Sequence, residues 1–413
     1  MKNRLLLLLV GVLAGVMVNI GEVCARSAGT PSGQVSTLTE SPVTPALWAS
    51  VARRYNWQIQ EGPGKKVVAT YNYTFNGALY TEGPWTYPDM GRNGQDPENP
   101  SIKPTLLVYV PKGYVSDGTW GLLVFDAYWD KFGIPSGWKP ICAKRKLLLA
   151  VVQDAGNKHH DFWRQAMIAK AYMEMHAKYK LNRKRIYLVG FSGGSRMASV
   201  AAVLFSEVYK GEISNCCADY PVLVPPQNNV EGFTVAPRYL RLARQRVRFF
   251  LFTGTKDLCE QDTILAYHHL KSMGFKYVTL FDQPGAEHTQ MSLENFNRGL
   301  DFLDAPLTKG VAVKIRQLRL LEKNKAFGRA MWQAQRDMNI APGMPVCDQA
   351  KVIFNTMLPA YAKMLDSVKA TIKKGNIAAS NQAIMQFAHV YVPYARADVL
   401  KLRREMARKQ PLQ

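Results

Sequence analysis

Between Leu147 and Leu303 the chain alternates short apolar runs with stretches of helical spacing. Leu147–Val152 is wholly apolar, as a strand buried on both faces requires. Residues 161–179 follow, with Met167, Ala171, Met175 and Tyr179 on one face of a helix. Residues 186–189 form another β-rich run, after which Met197, Val200, Ala201 and Leu204 recur at helical intervals. Residues 213–219 predict a short strand and 248–253 a clearer one, with 263–272 as its helix. Residues 277–281 predict the last strand and 293–303 the last helix of this series. Such alternation predicts an α/β fold with a mostly parallel, doubly wound sheet. Upstream, residues 67–74 alternate and predict a strand near the sheet edge. Residues 106–110 and 122–125 predict further strands, separated by turns at Pro111-Lys112-Gly113 and Asp117-Gly118.

Beyond residue 306 the strand pattern stops. Ile353, Met357, Tyr361, Met364, Val368 and Ile372 form a helical stripe that continues past Pro359. Residues 313–337 and 378–391 also read as helices, with Pro342-Gly343 and Gly375 as breaks. The C-terminal segment is therefore expected to be an all-helical appendage of antiparallel hairpins. These resemble tetratricopeptide units, although no clean 34-residue period repeats.

The N-terminus has a different character. Lys2 and Arg4 precede an apolar stretch over 5–20, and Val23-Cys24-Ala25 resembles a small-residue cleavage site. Residues 1–25 are expected to be a signal peptide, which places the mature protein outside the cell or in a periplasm. Residues 27–46 contain 13 Ser, Thr, Gly or Pro among 20, a composition that reads as a flexible linker. A hydrophobic body begins near Leu47.

Composition is otherwise that of a globular chain, at 47% hydrophobic and 11% aromatic residues, which excludes a disordered protein. Charge changes the picture more. The net charge is +22, and residues 309–413 hold 19 Lys and Arg against 6 Asp and Glu. Arg238, Arg241, Arg244, Arg246 and Arg248 add a second basic cluster. Such charge favours anionic polysaccharides, anionic membranes or nucleic acid. No nucleic-acid motif is present and an exported chain seldom meets nucleic acid, so none is expected as a partner. The expected partner of the basic tail is an anionic polysaccharide or envelope surface. The bland alternatives are a merely solvated basic face, or helices that cover apolar surface of the preceding domain. Cleavage would leave Cys142, Cys216, Cys217, Cys259 and Cys347, an odd number that allows at most two bridges. No C-x-x-C, H-E-x-x-H or calcium-loop pattern occurs, so neither a metal site nor a cofactor is expected.

The candidate chemistry lies at Gly190-Phe191-Ser192-Gly193-Gly194, which fits G-x-S-x-G. Strand before and helix after make it a nucleophile elbow, with Ser192 held in a strained turn at a helix N-terminus. A serine hydroxyl needs a base, usually histidine, and a carboxylate to orient it. On this type of sheet they follow the serine in the order acid, then base. Of the histidines at 159, 160, 176, 268, 269, 288 and 389, only His288 follows the last strand on a loop. Asp257 follows the preceding strand directly, and Asp262, expected at a helix start, is the runner-up acid.

Residues 181–198, Gly254-x-x-Asp257 and Gly285-x-x-His288 carry a family resemblance. From about Pro104 to Leu303 the chain resembles the esterase branch of the α/β hydrolases that includes polyhydroxybutyrate depolymerases and feruloyl or acetyl-xylan esterases. The resemblance implies Ser192 as nucleophile, Asp257 as acid and His288 as base. It implies an acyl-enzyme and an ester substrate, polymer-linked in some of these enzymes. It also implies an oxyanion hole of the Gly193 backbone N–H with one from the segment after residues 122–125, here assigned to Tyr128. That branch usually carries His-Gly there, whereas this chain reads Asp126-Ala127-Tyr128-Trp129. The departure motivates two alternatives: a non-catalytic binding module, or a peptidase or thioesterase on the same trio. The expected layout is signal peptide 1–25, linker and lead-in 26–60, α/β-hydrolase domain 61–306 and basic helical domain 307–413.

Overall fold

The computed structural model describes residues 33, 35–39, 43–55, 58–61, 67–75, 78–87, 105–222 and 232–408. The expected signal peptide, 1–25, lies outside them. The described chain opens with strand β1 (Val35–Thr39). Helix α1 (Pro45–Arg54) follows, where the Thr44 hydroxyl accepts the Leu47 N–H as an N-cap. Strands β2 (Gln58–Glu61), β3 (Val67–Phe75) and β4 (Ala78–Tyr87) then pair antiparallel in a sheet of their own.

From there strand and helix alternate. The elements are β5 (Thr105–Tyr109), β6 (Gly121–Asp126), α2 (Trp138–Lys144), β7 (Leu147–Val152), α3 (Asp161–Lys178) and β8 (Ile186–Phe191). They continue with α4 (Gly193–Leu204), β9 (Gly211–Asn215), α5 (Pro237–Arg246), β10 (Arg248–Lys256), α6 (Glu260–Ser272), β11 (Tyr277–Glu287) and α7 (Leu293–Thr308). The large sheet has the order β1-β5-β7-β6-β8-β9-β10-β11. Strands from β7 to β11 along this row run parallel, while β1 and β5 pair antiparallel at one edge. This is an α/β-hydrolase sheet.

The apolar strands are explained by burial on both faces. Alternate residues divide between two cores. Leu122, Val124, Leu148 and Leu188 pack with Met167, Val200 and Leu204. Leu123, Phe125, Leu149 and Val189 pack on the other side with Trp138, Phe296 and Leu300. Trp138 and Phe296 stack there at 3.9 Å between ring centroids. Each fully buried leucine of this kind contributes about 1.5–3 kcal/mol. The chain leaves β6 for β7 on one side and reaches β8 on the other, so the strand order reverses at β6. A crevice opens at the carboxyl ends of the strands at such a reversal.

Several expectations change. The stretch 27–46 was expected to be a flexible linker, yet Val35–Thr39 pairs with β5 over five registered residues and Pro45 begins a helix. Backbone hydrogen bonds hold β1 where its side chains supply little burial. Residues 67–74 lie in the separate three-stranded sheet rather than at the edge of the large one. The strand expected over 213–219 ends at Asn215, because Cys216 and Cys217 take positive φ values of 59° and 77°. The last strand extends six residues past 281, carrying the chain to the site.

The contact pattern divides the chain into two compact units after Leu303. The second unit contains α8 (Val311–Lys323), α9 (Phe327–Met338), α10 (Pro345–Lys373), α11 (Ile377–Tyr391) and α12 (Arg396–Ala407). The single helix expected over 313–337 is split at Lys325, where φ is 58°. Pro359 lies inside α10 without ending it. Ile315, Leu318, Met331, Phe354, Met357, Phe387 and Leu402 form a core of this unit. No helix of the described residues is long and apolar enough to cross a membrane.

Candidate active site

Ser192 is the turn between β8 and α4, at φ 57° and ψ −126°. A non-glycine residue at positive φ is strained, and the packing on either side must hold it there. Gly190 makes that packing possible, since a Cβ at this position would lie 2.3 Å from Ser195 Cα. The Ser192 N–H donates to the Asn215 carbonyl at 3.0 Å, which fixes the turn to β9.

His288 follows β11 directly. Its Nε2 lies 2.9 Å from Ser192 Oγ and its Nδ1 2.6 Å from Asp257 Oδ1. Asp257 follows β10 and is buried. Its Oδ1 also accepts the Cys259 N–H at 2.9 Å, and its Oδ2 accepts the Thr253 hydroxyl at 2.7 Å. Burial alone would raise its pKa. Hydrogen bonds from Cys259, His288, Thr253 and Cys216 outweigh burial and hold the carboxyl below its ordinary value. The runner-up, Asp262, points elsewhere: it accepts Arg196 Nη2 at 2.6 Å. Sequence order thus brings Ser192, His288 and Asp257 into one hydrogen-bonded row, and leaves Asp262 outside it.

Two supports of this row escaped sequence reading. Asn215 is fully buried. Its Nδ2 donates to the Thr289 carbonyl at 3.0 Å, and its Oδ1 accepts the Met291 N–H at 2.5 Å. It therefore holds the loop after His288 while its own carbonyl holds Ser192. Cys217 and Cys259 form a disulfide that ties the end of β9 to the start of α6, two residues past Asp257. Cys142, Cys216 and Cys347 are buried and take part in no disulfide. Sequence spacing had left the pairing open.

Gly193 is the first residue of α4, so its N–H has no acceptor within the helix. Opposite it runs the segment after β6. The Tyr128 carbonyl accepts the Asn157 N–H at 2.9 Å. The Tyr128 ring packs 5.5 Å from Phe191 and 5.2 Å from the exposed Trp129. In place of the His-Gly of the branch this chain resembles, Arg164 Nη2 donates to the buried Asp126 Oδ2 at 3.2 Å. Burial pushes the Asp126 carboxyl up to about 7, against the lowering charge of Arg164. Arg164 also donates to the Ala127 carbonyl at 3.3 Å and to Asn157 Oδ1 at 3.1 Å. The same Asn157 side chain covers Gly193, where a Cβ would lie 1.9 Å from Oδ1. Arg164 was legible only as a charge in the first turn of a helix, and Asn157 gave no signal at all.

Cys216, Asp257 and His288 place three metal-ligand atoms within 4.8 Å of one another. Asp257 and His288 are already joined there by their mutual hydrogen bond. A second such group uses Cys217 and Cys259, whose sulfurs are bonded to each other.

No family model matches the sequence, and no curated protein does. Solved structures do resemble parts of the chain. Porphyromonas gingivalis dipeptidyl peptidase 4 aligns at 15% identity and TM-score 0.38, over 49% of this chain and 33% of the peptidase. The chain thus spans a third of that protein's length. An esterase from Thermogutta terrifontis aligns at 17% identity and TM-score 0.36, over 51% of this chain and 88% of the esterase. Acetyl xylan esterase from Aspergillus awamori aligns at 14% identity and TM-score 0.37, covering 48% and 93%. The strand order and the elbow define the class of fold, an α/β hydrolase.

Proposed function

We propose that the chain is an exported serine hydrolase that cleaves a carboxylic ester. One observation carries the reading: the continuous row from Ser192 Oγ through His288 to Asp257, with spacings of 2.9 and 2.6 Å. Ser192 attacks the acyl carbonyl as His288 Nε2 takes its proton. Asp257 accepts from Nδ1–H, fixes that tautomer and stabilises the imidazolium. The Gly193 and Tyr128 backbone N–H groups serve the oxyanion of the tetrahedral intermediate. His288 then returns its proton to the leaving alcohol, and water repeats the sequence on the acyl-enzyme. The Cys217–Cys259 disulfide supports export, since such bonds persist in oxidising compartments. The resemblance to polyhydroxybutyrate depolymerases and acetyl-xylan esterases directs the substrate search towards polymer-linked esters.

Wild-type protein should react with a fluorophosphonate probe and hydrolyse short nitrophenyl esters. Ser192→Ala should abolish labelling and lower kcat/KM by at least ~10³-fold. A well-folded wild-type protein that the probe does not label would instead favour the non-catalytic module, for which the Asp126-Ala127 replacement of His-Gly is the motive. Faster cleavage of amides or thioesters than of matched esters would reassign the leaving group on the same row.

A further inference from the structure

The second unit carries a cavity of about 380 Å³ lined by Lys314, Gln317, Leu321, Arg329, Trp332 and Gln333, with Pro393 at its edge. Lys314, Gln317 and Leu321 stand at i, i+3 and i+7 on α8. Arg329, Trp332 and Gln333 stand at i, i+3 and i+4 on α9. Both triplets therefore face one groove. Its volume falls in the range of small-ligand sites, about 300–1,000 Å³.

The lining is chemically selective. Trp332 is 41% exposed, although indole is a side chain that folding usually buries. Arg336 lies 4.7 Å over its ring, adding positive charge beside the groove. Asp337, beneath the groove, is 1% exposed and its oxygens already accept hydrogen bonds. Gln333 Nε2 donates to both its oxygens at 2.9 Å, and Lys314 Nζ stands 3.8 Å away. The Gln333 amide is thus oriented with its nitrogen inward, leaving its carbonyl oxygen able to accept from a ligand. The groove offers a flat apolar ring, amide groups and two cations, Arg329 and the half-exposed Lys314, whose pairing with Asp337 is long at 3.8 Å. A uronic-acid residue matches all three with one apolar ring face, ring hydroxyls and a carboxylate. An acidic peptide matches only the cations without specifying the ring.

We propose that this groove binds an acidic sugar unit of an anionic polysaccharide, with Trp332 stacking the pyranose and Arg329 and Lys314 meeting its carboxylate. Binding there does not depend on the chemistry of Ser192. It goes further than the general charge of the C-terminal unit, because it assigns binding to a ring as well as to cations.

The test uses the full chain and a short oligogalacturonate, with a neutral oligosaccharide and poly-glutamate as comparison probes. Wild type should bind the oligogalacturonate more tightly than either. Trp332→Ala keeps every charge and should weaken that binding at least about tenfold. Trp332→Phe should restore part of it, and Lys314→Gln with Arg329→Gln should abolish it. All variants should hydrolyse small esters as wild type does, and Ser192→Ala should bind sugar unchanged. If Trp332→Ala binds the acidic sugar as wild type does, attraction is diffuse charge and the proposal falls. Tighter binding of poly-glutamate, lost in Trp332→Ala, would make this a peptide groove and overturn it as well.

Discussion

Asn215 holds both halves of the site at once. Its carbonyl takes the Ser192 N–H, while its side chain takes Met291 and donates to Thr289. Asn215→Ala should let the His288 loop drift from the elbow and lower kcat by about 10²-fold with little change in KM, since ångström-scale misplacement carries that cost. Steady-state kinetics with a short ester decide it; an unchanged kcat would show that the backbone alone sets the geometry. The acid assignment is tested similarly. Asp257→Asn should lose far more activity than Asp262→Asn, because only Asp257 touches His288. Asp126 gives a pH prediction. Its carboxyl lies at about 7 when folded against 3.8 ordinarily, so the folded state keeps a proton that the unfolded chain releases. This contribution to stability is complete below about 3.8 and is lost as pH rises through 7. The Tm of Asp126→Asn relative to wild type should therefore rise between pH 5 and pH 8. The trio itself was legible in the sequence, because strand order restricts where a serine, an acid and a histidine can meet. Asn215 and Arg164 were not, since a polar residue at a strand end or in a helix turn reveals its partner only when the chain has folded.

At the scale of elements, the strands that were easiest to read are the ones burial alone determines. Leu147–Val152 and the run before Ser192 are apolar throughout, and both lie inside the sheet with every residue buried. Strand β1 was invisible for the opposite reason. Its exposed and half-buried residues lie within a Ser-, Thr-, Gly- and Pro-rich stretch that resembles a linker, and its place depends on backbone pairing with β5. The extension of β11 to Glu287 was hidden because Pro284-Gly285 reads as a turn. The disulfide acts on elements as well. It joins residues 42 apart, linking the end of β9 to the α6 start beside Asp257. Chain entropy for a loop of that length gives an upper figure of about 4 kcal/mol. Cys217→Ser with Cys259→Ser should lower stability by about 2–4 kcal/mol in denaturant titration. Activity should fall below that of wild type even where the variant remains folded, because the Cys259 N–H is one of the donors to Asp257.

At the scale of the molecule, charge and folding divide the chain at nearly the same place. Of the net +22, +13 lies in residues 309–413. The unit that begins at Asp304 has its own core around Met331, Phe354 and Phe387, whereas Phe296, Leu300 and Leu303 of α7 pack in the core of the large sheet. A truncation must therefore keep α7 whole, and ending the chain at Thr308 does so. That fragment should remain soluble and keep its activity on small esters, while losing retention on an anionic matrix. In the full chain, retention should weaken as salt shortens screening from about 10 Å at 0.1 M to about 3 Å at 1 M. The two contributions to that retention separate in one titration. Trp332→Ala removes a ring and no charge, so it should lower retention at every salt concentration without changing the slope. Lys314→Gln with Arg329→Gln removes two charges and should flatten the slope. Identical salt curves for wild type and Trp332→Ala would leave only the summed charge of the helices to hold the matrix. An insoluble fragment ending at Thr308 would mean that the helical unit is required for the sheet to fold, whatever the matrix data show.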